Sequence, residues 1–312
     1  LMVFAGISQI LLSFSTTLST LYLFTLCATF GAISAQVLIP FASSINPPES
    51  SAAIVGKLMS GLVMGIILSR TFAGFVSNYW SWEGVYLSSG VITLLFATLM
   101  WRKLPNTQPQ SDLNIVSIYQ SLFQIARNNP HLIRRACAGA LGFGILSMVF
   151  TSMTFVLGSA PYFFNDFEIG LFGLLGVIGI YSSSWSGKTV GLGKENLVAK
   201  LCISLMLFSC VPLFFAQQNI GIYAIGVLMS YFGLTAFHVL NQNLVYRIDA
   251  NARSRINAVY MTIYFSGAAL GSLGAVYAWE HWQWQGCVAL GLTFAIGILW
   301  IDRFDFKLMR KN

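Results

Sequence analysis

A handful of polar side chains stand inside otherwise apolar stretches of this sequence, and these are the groups that could do chemistry. His238 is one. An imidazole changes charge near neutral pH, so a histidine held away from bulk water can relay a proton; it can equally be an interior side chain satisfied by a neighbour. Arg70 is the one basic residue well inside an apolar stretch. A guanidinium in hydrocarbon costs roughly 2.5–3.5 kcal/mol on insertion scales. That leaves three readings: its stem carries the charge to the nearer surface, it meets a substrate or a cavity carboxylate, or it clamps backbone carbonyls. Two polar stripes accompany these residues. Ser147, Thr151 and Thr154 are spaced i, i+4, i+7, and Tyr231, Thr235, His238 and Gln242 form a second stripe. Side chains so spaced share one helix face. They either line a polar passage or bond the carbonyls of their own helices. All ten Asp and Glu fall in loops, at helix ends or in the tail, so no well-embedded carboxylate is expected. Cys27, Cys137, Cys202, Cys210 and Cys287 lie in apolar runs and read as small hydrophobes, and no CxxC or HExxH pattern occurs. Neither a metal nor a cofactor is expected.

Long apolar helices must position these groups. The chain is 56% hydrophobic and only 9% charged, where a soluble domain carries about 25% charged residues. The surplus apolar surface must face lipid. A span takes roughly 20 apolar residues. Runs between turn signals predict ten α-helical spans, near 1–15, 19–41, 52–77, 84–101, 136–158, 168–185, 197–216, 219–245, 255–279 and 284–301. With Leu1 on the cytoplasmic side and the spans alternating, sixteen of the seventeen Lys and Arg fall in cytoplasmic loops, adjoining helix ends or the tail. The seventeenth is Arg70. The opposite side holds no basic residue and carries Glu83, Asp166, Glu168 and Glu280. Such a separation is the positive-inside pattern of a multi-pass protein. All eight tryptophans fall at expected helix ends, where amphipathic indole prefers to sit. The spans group as 1–104 and 134–312, joined by a basic cytoplasmic linker, 105–133, with a surface helix near 115–127.

An internal repeat organises the spans. A shift of 202 residues aligns 21–86 with 223–288 without a gap, with thirteen identities in 66 pairs. Phe30-Gly31 falls on Phe232-Gly233, Gly65 on Gly267, and Trp80-Ser-Trp82-Glu-Gly84 on Trp282-Gln-Trp284-Gln-Gly286. Gln36 falls on His238. The second copy lies six spans after the first, so both have one orientation, as in transporters built from parallel six-helix halves. Six spans per half predict twelve in all, so the first two helices of the N-terminal half are expected to be missing from this chain. Gly61 and Gly65, and again Gly267 and Gly271, are spaced four apart. In lipid, small residues at that spacing let helix backbones approach closely, so both pairs are expected at tight helix contacts.

On these residues the chain resembles the major facilitator superfamily, and in particular its bacterial efflux or drug–proton antiporter-like members. The resemblance rests on the repeat, the basic central linker, and the runs Ala35-Gln-Val-Leu-Ile-Pro40, Asn46-Pro-Pro-Glu49, Met59 to Thr71, Ala252-Arg-Ser-Arg-Ile-Asn257 and Gly267-Ala-Ala-Leu-Gly271. Two segments depart from the family pattern. The stretch from Ser186 to Lys194 keeps glycines and lysines but lacks the family's Asp and Arg, and Trp82-Glu83 stands where Trp-Arg is common. The resemblance implies an all-α integral membrane bundle that moves a small solute by alternating access, as a monomer in the bacterial inner membrane. The proton would be the coupling ion, lipid the surroundings, and nucleic acid no partner. It also implies that the helices carrying Gln36 and His238 help line a central cavity. Uptake by a symporter or facilitator, and a fragment without transport activity, stay open as alternatives. A polytopic enzyme would need a nucleophile–base pair or histidine cluster that the spans do not offer.

Overall fold

The computed structural model describes residues 1–34, 38, 48–104, 115–249 and 252–309, and among them there are helices and turns but no strand. In chain order the helices are α1 (Met2–Ser13), α2 (Leu18–Ala32), α3 (Pro48–Tyr79), α4 (Trp82–Lys103), α5 (Ile115–Asn128), α6 (Pro130–Gly158), α7 (Asp166–Leu171), α8 (Ile178–Gly191), α9 (Glu195–Phe208), α10 (Cys210–Phe214), α11 (Ile220–Tyr246) and α12 (Arg253–Met309). Among the described residues, six helical segments are long and apolar enough to cross a membrane: α4, α6, Asp166–Gly191, Glu195–Phe214, α11 and Arg253–Arg303. The last of these is two limbs. Gln283 leaves the helix with φ 54° and ψ −150°, and the limbs fold back on each other so that Cys287 donates through Sγ to the Ala275 carbonyl at 3.5 Å. Unpaired backbone groups are costly in hydrocarbon, which is why long helices carry nearly all of the described chain.

Local chemistry starts several of these elements. Thr17 and Thr20 form a reciprocal capping box at α2, and Asn165 and Glu168 form another at α7. Asn219 accepts from the Gly221 amide at the start of α11, and Pro130 opens α6, where its missing N–H costs nothing.

Two expected spans are interrupted. Residues 168–185 comprise α7, a 3-10 stretch Phe172–Val177, and α8. Gly173 and Gly176 lie in that stretch, and a tighter turn there is a common form of helix irregularity. The run 197–216 breaks between α9 and α10 at Ser209, one residue past Phe208, whose carbonyl the ring of Pro212 would crowd.

The chain divides into two compact units, Leu1–Gln110 with Phe164–Leu174, and Ser111–Phe163 with Leu175–Asn312. In the first, α1 lies between α2 and α4. A Cβ on Gly31 would come within 2.6 Å of Ala5, and one on Gly90 within 2.8 Å of the Gly6 carbonyl. In the second, α6 is the centre. It packs along both limbs of α12 and against α11, with Leu132, Ala136, Ile145, Phe237, Leu240 and Ile298 among the fully buried side chains. Large apolar side chains such as Leu26, Leu95, Leu270 and Leu273 stay exposed on the outside of both units, as a lipid-facing surface requires. Trp80, Trp101, Trp282 and Trp300 are also exposed.

Candidate functional site

The second unit holds a buried polar column, and His238 stands at its head. His238 lies on α11, eight residues before its end at Tyr246, or about 12 Å of helix. It is half-buried, with Nδ1 3.2 Å from the Tyr260 hydroxyl and its ring centroid 4.4 Å from that of Tyr264. Both tyrosines are on the first limb of α12, one turn apart, and both are buried. Phe143 of α6 stacks on Tyr264, with centroids 4.5 Å apart. The Tyr260 hydroxyl rests on Gly139 of α6, where a Cβ would stand only 2.7 Å away. A glycine is therefore what lets this hydroxyl into the helix interface.

Below it the column continues with groups that sequence reasoning did not single out as a site. Asn241, three residues after His238 on the same helix, is fully buried beside Tyr260. Neither of its amide atoms makes a hydrogen bond of ordinary geometry. Leaving a buried polar group so costs roughly 1–3 kcal/mol. Arg135, one turn before Gly139, is 1% exposed, and its Nη1 donates to Asp302 Oδ1 at 3.0 Å. Asp302, on the second limb of α12, is itself 7% exposed. Arg135 and the Tyr246 hydroxyl lie close enough to Tyr260 to act on it electrostatically. The sequence places Arg135 and Asp302 just beyond the expected spans 136–158 and 284–301. The structure holds both within helices, after Pro130 opens α6 and before α12 ends at Met309. Their burial in one ion pair is not visible in the sequence. The one available signal is that each adjoins a long apolar run on its own helix.

The other expected residues have more ordinary partners. Ser147 and Thr151 both meet Ser272 of α12, each with oxygens 2.8 Å apart. Thr154 is exposed and stands apart from that cluster. Thr235 donates to the Tyr231 carbonyl one turn back at 2.7 Å and also meets the Ser182 hydroxyl of α8. Tyr231 is buried, with its ring over Gly176 and Gly179 and edge-on to Phe150 of α6 at 5.7 Å. Gln242 is half-buried. The two stripes thus bind helices together: α6 to α12, and α11 to α8, with Phe150 and Tyr231 joining α6 to α11. Of the second stripe, His238 makes the contact with the Tyr260 hydroxyl at the head of the polar column. Gln36 lies outside the described residues.

In the first unit Arg70 is exposed, and its aliphatic stem lies over Gly173, where a Cβ would sit 2.6 Å from that of Arg70. Its neighbours on α3 join α7. Thr71 donates to the Gly170 carbonyl at 3.2 Å, Ser77 donates to the Asp166 carboxylate, and a Cβ on Gly74 would collide with the Asp166 carbonyl at 2.3 Å. The close contact expected at Gly61 and Gly65 is not present among the described residues, because a Cβ on either would meet no atom within 4 Å. On α3 the glycine that admits a second backbone is Gly74. Gly267 and Gly271 do pack tightly, with a Cβ 2.1 Å from the Ala140 carbonyl and 2.2 Å from that of Gly144.

Comparison with known proteins agrees with this helical arrangement. The family model described as Major Facilitator Superfamily matches residues 1–272. The chain is 33% identical over 282 residues to an uncharacterised transporter, YgaY, of Escherichia coli O157:H7, covering 90% of this chain and 72% of that protein. It is 27% identical over 274 residues to the probable transporter SCO4007 of Streptomyces coelicolor, covering 86% of this chain and 63% of the relative. Among solved structures, a bacterial homologue of the human lysosomal transporter Spinster, in an inward-facing and occupied conformation, superposes with a TM-score of 0.72 over 99% of this chain and 81% of that one, at 12% identity. At that identity the likeness speaks to the fold alone. With a family model over residues 1–272 and a relative one-third identical across most of both chains, the protein belongs to the major facilitator superfamily of multi-pass membrane transporters.

Proposed function

We propose that this transporter moves a small solute by alternating access, exporting it from the bacterial cytoplasm across the inner membrane in exchange for protons, with His238 as a proton-carrying group. The observation that carries this reading is the half-buried imidazole set between Tyr260 and Tyr264 at the head of a polar column. Imidazole is the side chain whose unperturbed charge change falls near neutral pH, so a modest change of surroundings moves it between neutral and charged. In the frame of two six-helix halves, the apolar runs of the chain supply ten spans, with Leu1 on the cytoplasmic side. The support for that orientation is the one-sided distribution of Lys and Arg.

Membrane vesicles turned inside out, acidified inside by respiration and monitored with a fluorescent pH dye, test the coupling. A panel of small amphipathic cations and neutral drugs is added in turn. At least one should release protons from vesicles carrying the wild-type chain. His238→Gln keeps a hydrogen-bonding side chain but cannot titrate, and should abolish that release while the solute still binds. Solute-driven proton release equal to wild type in the Gln variant would remove His238 from the coupling. Solute movement with no proton release in either would point to facilitated diffusion instead.

A further inference from the structure

The column below His238 has no evident packing purpose. Asn241 is fully buried beside Tyr260, and neither of its amide atoms makes a hydrogen bond of ordinary geometry, although a leucine of similar volume would fill the same space. The Tyr260 hydroxyl is admitted to the α6 interface by a glycine. A buried ion pair such as Arg135–Asp302 is weak evidence for stability, since apolar replacements often serve as well. These groups share one unit and succeed one another from the middle of α11 to Asp302 near the end of α12. Among the described residues, the titratable and charged side chains facing the column include Tyr260 and Tyr264 from the first limb of α12, Tyr231 and Tyr246 from α11, Arg135 from α6, and Asp302 from the second limb.

We propose that this column is the proton's exit route: His238 holds the proton, Tyr260 and Asn241 pass it on, and the Arg135–Asp302 pair releases it at the cytoplasmic end. The proposal rests on the reading of His238 as the proton carrier. In the first transfer the N–H bond at Nδ1 of the imidazolium breaks as an O–H bond forms on Tyr260, whose own proton leaves for the next acceptor. Histidine is left neutral and the tyrosine is regenerated. Asn241 offers one acceptor and two donors, enough to hold a water between Tyr260 and the ion pair. The last acceptor is the Asp302 carboxylate. Protonation removes its charge and loosens Arg135; loss of the proton to cytoplasmic water re-forms the pair and resets the route.

The test uses the full chain in vesicles of phosphatidylethanolamine and phosphatidylglycerol, with nitrogen-15-labelled histidine. His131→Asn and His281→Asn leave His238 as the one labelled ring. Magnetic resonance then reads its protonation, and its proton exchange with solvent, between about pH 5 and pH 8. In the parent the ring should change charge within that window. Asn241→Leu, Tyr260→Phe and Asp302→Asn should each slow its exchange with water by about tenfold or more, and Asn241→Ser, which restores a polar group, should recover most of the rate. Asn241→Leu keeps the side-chain volume and removes an amide that makes no hydrogen bond of ordinary geometry, so it should fold about as well as the parent, and a melting curve checks this. A parent ring that stays neutral and unexchanging overturns both the carrier and the route. A ring that titrates, with exchange unchanged in all three variants, overturns the route and leaves the carrier standing. Equal slowing in Asn241→Leu and Asn241→Ser would assign Asn241 to packing and would also overturn the route.

Discussion

The two copies of the internal repeat carry the same punctuation but use it differently. Gly65 and Gly267 correspond under the 202-residue shift, yet a Cβ on Gly267 would collide with the Ala140 carbonyl while one on Gly65 would meet nothing. Trp82 and Trp284 correspond as well. Trp284 is 1% exposed and donates through Nε1 to the Leu213 carbonyl at 2.6 Å, whereas Trp82 is 40% exposed. Arg70 stands where the second copy has Ser272, the residue that ties Ser147 and Thr151 to α12. The partner explains the glycine and serine differences. In the second copy these positions face Ala140, Gly144, Ser147 and Thr151 of α6. The polar column is matched in the first copy only at its head: Gln36 stands at the place of His238, but Leu58 stands at that of Tyr260 and Ile39 at that of Asn241. Internal symmetry of sequence thus repeats where helices turn and where small residues recur, while the polar groups below the head belong to one copy.

Substitutions at matched positions sharpen this contrast. Gly267→Leu should be the most damaging. The added Cβ meets backbone, which cannot rotate away, so the cost should exceed ~3 kcal/mol and little folded protein should survive detergent extraction. Gly65→Leu should leave thermal stability within about 0.5 kcal/mol of wild type. A large loss at Gly65 would erase the asymmetry; unchanged stability with lost transport would show that this stretch closes on another surface in a different state. Trp284→Ala should cost about 3–5 kcal/mol, the range for emptying a buried aromatic site, and Trp82→Ala much less, as read by thermal melting in matched detergent. The smallest effect belongs to Ser272→Ala. It removes two hydroxyl partners at roughly 0.6 kcal/mol each in a membrane interior, a drop of about 1 kcal/mol, and Ser147→Ala combined with it should be less than additive.

Much of the helix frame was legible because hydrocarbon permits so few solutions. Apolar runs, capping residues and prolines mark element ends directly, and α5 falls where a surface helix was expected. Glycine spacing, by contrast, announces that a close approach is possible without saying which helix arrives, so Gly61 and Gly65 read the same as Gly267 and Gly271. Hydroxyl stripes are ambiguous for a related reason. Thr235 satisfies itself one turn back, as helical threonines can anywhere. Arg135 and Asp302 were unreadable as a pair because 167 residues separate them. A charge at a helix end looks alike whether it meets water or a buried partner.

That separation also sets an order of assembly. As the chain is made, α6 enters the bilayer before the last limb of α12 brings the Asp302 carboxylate to Arg135 Nη1. The final helix is therefore a completion signal as well as a structural element. Chains halted before Asp302 would lack the carboxylate that accepts from Arg135 Nη1 in the finished bundle.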